Sequence, residues 1–308
     1  MKAIVRRAGA SHRMAFANVP EPAPAAGDLV VQLAASSVNF GSTFYLEGVL
    51  DGAVRGSDGV GRVIAAAEDG TGPRVGERVA FATPYGSWAE RCAVPARNAA
   101  VIPEAVDDIV AAALPAAALT ALQAVRRLGS VLGKRVLVTG ATGGVGVFAV
   151  QLLATAGAVP VAWTRDPERA ARVRALGAKE VMSNVNDLVP NSFDGIIDMV
   201  GGELLSATLP SLTNGGTALN VGHAAGERAN IDLETLRRLG PGRSVEAFVC
   251  TDVGAHSLHG LLDMVARGTL IVPVDSVAEW GEFHSAIDAL GRRAVFGKAV
   301  LRIDDGLD

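Results

Sequence analysis

The strongest constraint on the fold is the stretch over residues 134–157, KRVLVTGATGGVGVFAVQLLATAG. A short apolar run at 136–138 is followed by a glycine-containing turn at 139–144, and an apolar helical pattern comes directly after it. This order predicts a strand, a tight turn and a helix, which is the local structure that nucleotide-binding proteins use to approach a phosphate.

The turn carries a variant of the GxGxxG fingerprint, with Ala141 in place of the first glycine, Gly143 and Gly146 at the other two positions, and Gly144 as an extra glycine. A side chain at Gly143 would hold the backbone away from a pyrophosphate, while Gly146 allows the helix to pack closely on the strand. The amides and the positive dipole at the start of the helix would then face the phosphates. Ordinary strand-to-helix turns also use glycine, so the flanking strand and helix are what favour a dinucleotide site. The residues predicted to bind it here are Ala141, Thr142, Gly143, Gly144 and Val145.

Composition limits the class of protein. The chain has 308 residues, of which 49% are hydrophobic and 19% charged, with a net charge of -4. These values predict an ordinary soluble protein of two domains, and give no electrostatic reason to expect nucleic acid or a membrane surface as a partner. The two cysteines, Cys92 and Cys250, are far apart and form no CxxC motif, which argues against a disulfide framework and favours a reducing, cytoplasmic location.

The order of strand and helix patterns predicts three segments. Residues 1–117 contain short strand patterns separated by proline and glycine, as in a partly open, mostly antiparallel β domain. Strands and helices alternate over 118–248, which predicts an α/β domain with a doubly wound parallel sheet. Residues 249–308 are mixed and are expected to rejoin the first domain. Other predicted elements are a helix broken at Pro115, a helix at 203–212, and strands at 217–221 and 270–274.

Eight motifs in order resemble the medium-chain dehydrogenase/reductase superfamily, in its zinc-free quinone oxidoreductase (zeta-crystallin-like) branch. They are SSVNF at 36–40, GSDGVGRV at 56–63, VGERVAF at 75–81, GSWAERCAVPA at 86–96, AAALPAAALTALQAV at 111–125, VLVTGATGGVG at 136–146, DMVGG at 198–202 and GKAVLRI at 297–303. The resemblance implies a GroES-like catalytic domain split around a Rossmann domain, with the active site in the cleft between them. It also implies a homodimer formed through edge strands of the Rossmann sheets.

The resemblance allows the zinc-ligand positions to be compared one at a time. Where zinc-dependent members carry a cysteine, a histidine and another cysteine, this chain has Asn39, Ser57 and Ala116. None of the three is a good zinc ligand, and the pair His256 and His259, one helical turn apart, lacks a third ligand. We therefore expect no metal. Without a Lewis acid, reduction of an electrophilic carbonyl or conjugated alkene is favoured over alcohol dehydrogenation.

The second strand of the predicted Rossmann domain, at 159–163, is followed by Thr164 and Arg165, where an NAD site normally carries an acidic residue. A hydroxyl followed by a guanidinium suits the 2′-phosphate of NADPH, and NADPH is the predicted cofactor. Asp166 could cap the next helix, or could pair with Arg169 and weaken the phosphate site. Asn184 occupies a position where several members of the family carry a tyrosine beside this phosphate.

Two residues are catalytic candidates. Asn39 falls where the family places an amide or cysteine beside the nicotinamide, and it could orient the carboxamide or a substrate oxygen, or only cap a loop. Phe44 occupies a position where this branch often has a tyrosine, and Tyr45 follows it. Tyr45 is therefore either a proton donor or a packing aromatic.

The remaining cofactor-binding candidates come from the resemblance. Thr120 is expected to begin the helix that lines the nicotinamide pocket, and Asn220, Gly222 and His223 follow the fifth strand at the carboxyl edge of the sheet. His223 could act as an acid near neutral pH or could be an exposed loop residue. Phe248 and Lys298 are expected at the nicotinamide and the cleft, although both could be structural.

The predicted function is transfer of hydride from NADPH to a quinone or to the β-carbon of an α,β-unsaturated carbonyl. Proximity of the two bound reactants would supply most of the acceleration, and water or Tyr45 would supply the proton. Alternatives are a ketone or aldehyde reductase, or an enoyl reductase of a biosynthetic pathway. A nucleotide-binding protein with little turnover is an alternative of another class.

Overall fold

A computed structural model of the protein describes residues 1–303, which form two compact units. The first unit comprises Met1–Leu119 together with the segment that begins at Asp252, and the second comprises Thr120–Thr251. The boundaries predicted from the sequence are at residues 117 and 248, close to those of the two units.

The strands are β1 (Lys2–Arg6), β2 (Met14–Asn18), β3 (Asp28–Val38), β4 (Asp58–Ala65), β5 (Arg78–Ala82), β6 (Arg91–Pro95), β7 (Ala99–Val101), β8 (Arg135–Val138), β9 (Val159–Trp163), β10 (Glu180–Met182), β11 (Phe193–Asp198), β12 (Leu212–Asn220), β13 (Ser244–Ala247), β14 (Val274–Glu279) and β15 (Lys298–Arg302). The α-helices are α1 (Phe40–Phe44), α2 (Asp108–Ala112), α3 (Pro115–Arg127), α4 (Gly144–Thr155), α5 (Pro167–Ala175), α6 (Gly202–Thr208), α7 (Leu233–Leu239), α8 (Ala255–Ala266) and α9 (Phe283–Gly291). Within residues 1–303, no helix is both long enough and apolar enough to cross a bilayer.

The second unit is built on a six-stranded parallel sheet with the order β10-β9-β8-β11-β12-β13. In chain order within the unit this is 3-2-1-4-5-6, so the direction of winding reverses between β8 and β11. Ligands of open α/β sheets bind at the carboxyl ends of the strands beside such a reversal. The predicted doubly wound sheet is confirmed.

Helix α4 connects β8 to β9 and is buried along its middle, from Gly146 to Leu153. A helix that is apolar on all sides is stable only when it is covered on all sides, which explains the lack of charge in its sequence. The strand before α4 is also fully apolar, with Val136, Leu137 and Val138 at most 1% exposed. Both elements therefore hold the turn between them in a fixed place.

The first unit contains a sheet with the order β14-β15-β3-β4-β5-β7, and β6 also pairs with β3. All of its pairs are antiparallel except β14 with β15, so the predicted mostly antiparallel domain is confirmed. Trp88, Phe81 and Phe283 lie among the large side chains of its core. The C-terminal strand β15 pairs with β3, which joins the end of the chain to the first unit.

Two predicted elements are wrong. The strand predicted at 270–274 is a loop over 270–273, because the amide of the buried Leu270 closes the end of α8 on the carbonyl of Met264, and β14 starts only at Val274, after Pro273. The predicted helix at 203–212 ends at Thr208, and the chain passes through a short 3-10 turn containing Pro210 into β12. The break predicted at Pro115 is correct, since α3 starts there.

Candidate functional site

The turn between β8 and α4 is closed by its own backbone at Gly146. A Cβ atom there would lie 2.2 Å from the carbonyl oxygen of Gly140 and 2.6 Å from Cα of Ala141, which no side chain could avoid. A Cβ atom at Gly143 would meet only the same Gly140 oxygen, at 3.4 Å, which is ordinary contact. Protein packing therefore explains the glycine at 146 and leaves the glycine at 143 to be explained by something outside the chain.

The first turn of α4 offers backbone amides to an anion. The residue that precedes the helix is Gly143, which has no side chain to accept hydrogen bonds from these amides. The first amides of any helix lack partners within the helix, and the helix dipole makes this end positive. Residues Thr142 to Val145 are half-buried rather than covered. The arrangement can bind a phosphate group through backbone donors alone.

A buried aspartate fixes the switch point of the sheet. Asp198, at the end of β11, accepts hydrogen bonds from the Thr139 hydroxyl at 2.5 Å and from the Gly201 amide at 2.9 Å. The Asn220 amide nitrogen donates to Asp198 and to the carbonyl oxygen of Gly222, at 2.8 Å each. Asn220 thus connects the end of β11 to the loop after β12 at the carboxyl edge. Thr139 and Asp198 were missed as site residues, although both lie in quoted motifs.

The end of β9 presents one cation without a carboxylate partner. Thr164 is buried, Arg165 is exposed, and Arg165 forms no ion pair within residues 1–303. Asp166 both caps helix α5 and pairs with Arg169. Its carboxylate accepts a hydrogen bond from the Glu168 amide at 2.9 Å and lies 3.1 Å from Nε of Arg169. Arg169 is thereby held by the helix cap, whereas Arg165 is left to solvent or a ligand.

Three other predicted cofactor residues of the second unit occupy different settings. Thr120 lies in the middle of α3, which begins at Pro115, so the expectation that it starts this helix is wrong. His223 is exposed, with its Nδ1 beside Gly201. Phe248 is half-buried, and its amide donates to the carbonyl of Asn220 at 2.9 Å. Their contact with a nicotinamide stays a prediction.

In the first unit, the pairing of β15 with β3 places Lys298 beside Asn39. Lys298 opens β15, and Asn39 follows the last residue of β3 and precedes α1. The ammonium of Lys298 donates to Oδ1 of Asn39 at 2.5 Å. Lys298 is 2% exposed, and burial lowers its pKa below the ordinary 10.5, an effect that the negative charge of Asp58 partly opposes.

Both polar atoms of the Asn39 side-chain amide form hydrogen bonds. Its oxygen accepts from Lys298, and its nitrogen donates to the hydroxyls of Ser37 at 3.1 Å and Ser57 at 3.2 Å. Asn39 was predicted to orient a substrate or cofactor directly. In the structure its side chain links a buried cation to two serines, and its direct contact with a ligand stays a prediction.

Asp58 is the acidic end of the same network. It is fully buried, and it accepts from the Ser37 hydroxyl at 2.8 and 2.9 Å and from the Ala116 amide at 3.2 Å. The positions compared with zinc ligands are thus joined by hydrogen bonds. Ser37, Ser57 and Asp58 were not predicted as site residues, and the signal for them was the spacing of SSVNF and GSDGVGRV along β3 and β4.

Tyr45 ends helix α1 and is 44% exposed. Its ring meets Phe40 edge to face, with the ring centroids 5.7 Å apart, and the guanidinium of Arg293 lies 4.4 Å from the Phe40 ring centroid. Tyr45 is therefore a partly exposed aromatic residue that packs on Phe40. Its role as a proton donor stays a prediction.

Within the described part of the chain, no group of three or more histidine, cysteine, aspartate or glutamate side chains could hold a metal ion. His259 lies on α8 with Nε2 3.7 Å from Asp263, and the side chain of His259 is 59% exposed.

A protein-family model described as zinc-binding dehydrogenase matches residues 176–301. These residues include none of Asn39, Ser57 and Ala116. Among curated relatives, a mycocerosic acid synthase-like polyketide synthase of Mycobacterium tuberculosis is 29% identical over 98% of this chain, although the chain spans only 15% of its length. Prostaglandin reductase-3 of Bos taurus is 28% identical over 98% of the chain and 89% of its own length.

Solved structures of similar fold cover nearly the whole chain. The mycobacterial protein Rv1454c in complex with NADPH is 25% identical, with a TM-score of 0.89 over 98% of this chain and 99% of that one. A quinone oxidoreductase of Pseudomonas syringae is 26% identical, with a TM-score of 0.88 over the same shares of the two chains.

Proposed function

The chain belongs to the medium-chain dehydrogenase/reductase superfamily, in its quinone oxidoreductase branch, and from this premise we propose that it is an NADPH-dependent reductase of quinones or α,β-unsaturated carbonyl compounds that works without zinc. The proposal rests mainly on two features of the second unit. The glycine turn leaves the first amides of α4 without a side-chain cap, and Arg165, which forms no ion pair within residues 1–303, follows the next strand. Together these groups match a diphosphate and a 2′-phosphate.

The residues of the second unit fit NADPH. The backbone of Thr142 to Val145 would hold the diphosphate, because the amides of α4 point out of its first turn and Gly143 leaves room for close approach. Thr164 and Arg165 would hold the 2′-phosphate through charge-assisted hydrogen bonds. NADPH is seen with the similar mycobacterial protein Rv1454c.

The residues of the first unit do not fit zinc. Ala116 offers no side-chain donor, and the oxygen of Asn39 faces the Lys298 ammonium, which would repel a metal cation. The name of the matching family model therefore does not carry over to these positions. We propose that no zinc takes part in the reaction.

NADPH, when bound, supplies a hydride. The residues of this chain would bind the cofactor, orient it and keep its phosphates neutralised, so that proximity of two held reactants gives most of the rate. Tyr45 or water would give the proton that completes reduction. Tyr45 suits this task because it is partly exposed rather than buried.

We also propose a homodimer in the cytoplasm. Strand β13 lies at the edge of the second unit's sheet, and Val245 on this strand is 37% exposed. An unpaired edge strand can add the same strand of a second copy.

The test of the cofactor assignment is Arg165→Ala, measured by the dissociation constants of NADPH and NADH. We expect NADPH to bind about 10- to 100-fold more weakly, because one charge-assisted bond contributes about 1.5–3 kcal/mol, and NADH to bind unchanged. Arg174→Ala, at an exposed arginine of α5, is the matched control and should change neither value. Equal weakening of both cofactors by Arg165→Ala would refute the assignment.

A second candidate function is reduction of the conjugated alkene of an acyl chain during biosynthesis. The match to a polyketide synthase supports it, because 98% of this chain aligns with one segment of that much longer protein. Comparing acyl thioesters with free enones and quinones as acceptors separates the two candidates. A kcat/KM at least tenfold higher for the thioester would favour the biosynthetic role.

A further inference from the structure

The buried ammonium of Lys298 needs an explanation beyond folding. A buried charge is costly unless it is paired and hydrogen-bonded, and Lys298 forms no ion pair shorter than 4 Å within residues 1–303. Its hydrogen bond goes to the neutral amide of Asn39, and Asp58 acts on it only as a nearby charge. A methionine would fill the same space at lower cost, so the charge itself has a use.

The direction of each hydrogen bond in the network is set by the groups at its two ends, the Lys298 ammonium and the Asp58 carboxylate. A lysine ammonium can only donate, so the atom of Asn39 that faces Lys298 must be the oxygen. The amide nitrogen then faces Ser37 and Ser57 and donates to both. Ser37 in turn gives its proton to Asp58. The hydrogen bonds thus run in one direction from the Lys298 ammonium to the Asp58 carboxylate, and in none of them can donor and acceptor be exchanged.

Ser57 occupies a special place in this order. Its oxygen accepts from the Asn39 amide at 3.2 Å and from the Ser42 hydroxyl at 2.9 Å, which uses both of its lone pairs. Its own hydrogen has no acceptor within residues 1–303, and the residue is half-buried rather than covered. A hydroxyl that accepts two hydrogen bonds is polarised toward donating a third, and here the polarisation begins at a positive charge.

We propose, building on the reductase function above, that the Ser57 hydroxyl donates a hydrogen bond to the substrate oxygen on which negative charge develops, and that Asn39 and Lys298 are positioning residues that keep Ser57 a donor. Ser57 is then a catalytic residue of the first unit. The substrate class that fits is a conjugated carbonyl compound or a quinone, whose oxygen becomes an enolate or phenolate oxygen.

The electron balance of the step is simple for an enone. The C4–H bond of the dihydronicotinamide breaks, its hydride forms a bond to the β-carbon, and the alkene pair moves so that the carbonyl oxygen becomes an enolate oxygen. Ser57 hydrogen-bonds this oxygen and keeps its proton. Water or Tyr45 then supplies a proton to the α-carbon, which leaves the saturated ketone and the oxidised cofactor. Preorganised donors aimed at such an oxygen are among the largest contributors to enzyme rates.

The first arm of the test is kinetic. Ser57→Ala should lower kcat with an enone by about 100-fold, the loss typical of one such donor, and leave the KM for NADPH unchanged. Lys298→Met should lower kcat by about tenfold in the wild-type background and have no effect in the Ser57→Ala background, because a positioning residue acts only through its partner. Ser276→Ala, at an exposed serine of β14, is the control and should keep the wild-type kcat.

The second arm needs no turnover. 4-Nitrophenol, bound to the protein with NADP⁺, imitates the developing oxyanion, and its absorbance reports whether it is ionised. Wild-type protein should favour the phenolate, and Ser57→Ala should bind it about tenfold more weakly. Wild-type kcat in Ser57→Ala, or equal phenolate binding by both proteins, would overturn the proposal. A wild-type protein that binds the phenolate through Ser57 but never oxidises NADPH would refute the reductase function alone.

Discussion

The glycine turn of the second unit and the polar network of the first are built in opposite ways. The turn uses consecutive residues, and its binding groups are backbone amides placed by one strand and one helix. The network joins side chains from positions as distant as 39 and 298, brought together by antiparallel pairing of β3 and β15. The turn leaves charge to be supplied by a ligand, whereas the network contains its own cation and anion.

The two sites should therefore be sensitive to different kinds of substitution. A backbone site fails when an added atom blocks it, even if no charge changes. A side-chain network fails when a charge is removed, even if the volume is kept. Substitutions that add an atom to the turn or remove a charge from the network separate these two kinds of failure.

Gly146→Ala should destabilise the protein by about 3 kcal/mol, because the new methyl would lie 2.2 Å from the Gly140 oxygen and the backbone must move. Gly143→Ala is the matched control for stability, since its methyl meets only ordinary contact. It should unfold like wild type in urea but bind NADPH at least about tenfold more weakly, because the methyl stands where the diphosphate must approach. Equal stability of the two variants would contradict the claim that packing within the protein requires glycine at 146 and not at 143.

Asp58→Asn should destabilise the first unit by about 2 kcal/mol near neutral pH, because Lys298 loses its opposing charge while staying buried. Burial already lowers the pKa of Lys298, and loss of Asp58 lowers it further. Between the pKa of Lys298 in the variant and its pKa in wild type, the folded variant has lost this proton while folded wild type still holds it, so the deficit should shrink as pH rises through that range. Urea unfolding as a function of pH measures this.

Asp198→Asn in the second unit serves as the comparison. It also removes a buried carboxylate, but no buried lysine faces it within the described chain, and its partners are Thr139, Asn220 and backbone amides. Its deficit should not shrink over the alkaline range. A similar recovery in both variants would mean that Lys298 is not the source of the effect.

The two thiols give the smallest effect, without any loss of stability. Burial, with the charge of Asp28, raises the pKa of Cys92 in the first unit to about 12, so almost none of it is thiolate at pH 8. Cys250 in the second unit is only partly buried. One equivalent of a thiol reagent should therefore react with the native protein, at Cys250, and a second only after unfolding. Modification of Cys92 in native protein would contradict its burial.

The difference between a site built from consecutive residues and one built from distant side chains also explains which features could be predicted from the sequence. Residues 134–157 gave the strand, turn and helix because the pattern is local, and Thr164 and Arg165 followed from their distance to it. Asn39 was predicted through resemblance and stays a prediction, but its hydrogen-bond partners were not foreseen, because pairing of β3 with β15 is decided by tertiary packing. The place of Thr120 was wrong for a local reason, since Pro115 as the first helical residue moved the helix start forward.

Metal-free hydride transfer is tested by following deuterium from NADPH labelled at C4 into the product of a simple enone, using protein dialysed against a strong chelator. We predict that deuterium appears on the β-carbon, at a rate that neither the chelator nor added zinc changes. Absence of label from the β-carbon, or activity that depends on zinc, would contradict hydride transfer by a metal-free site.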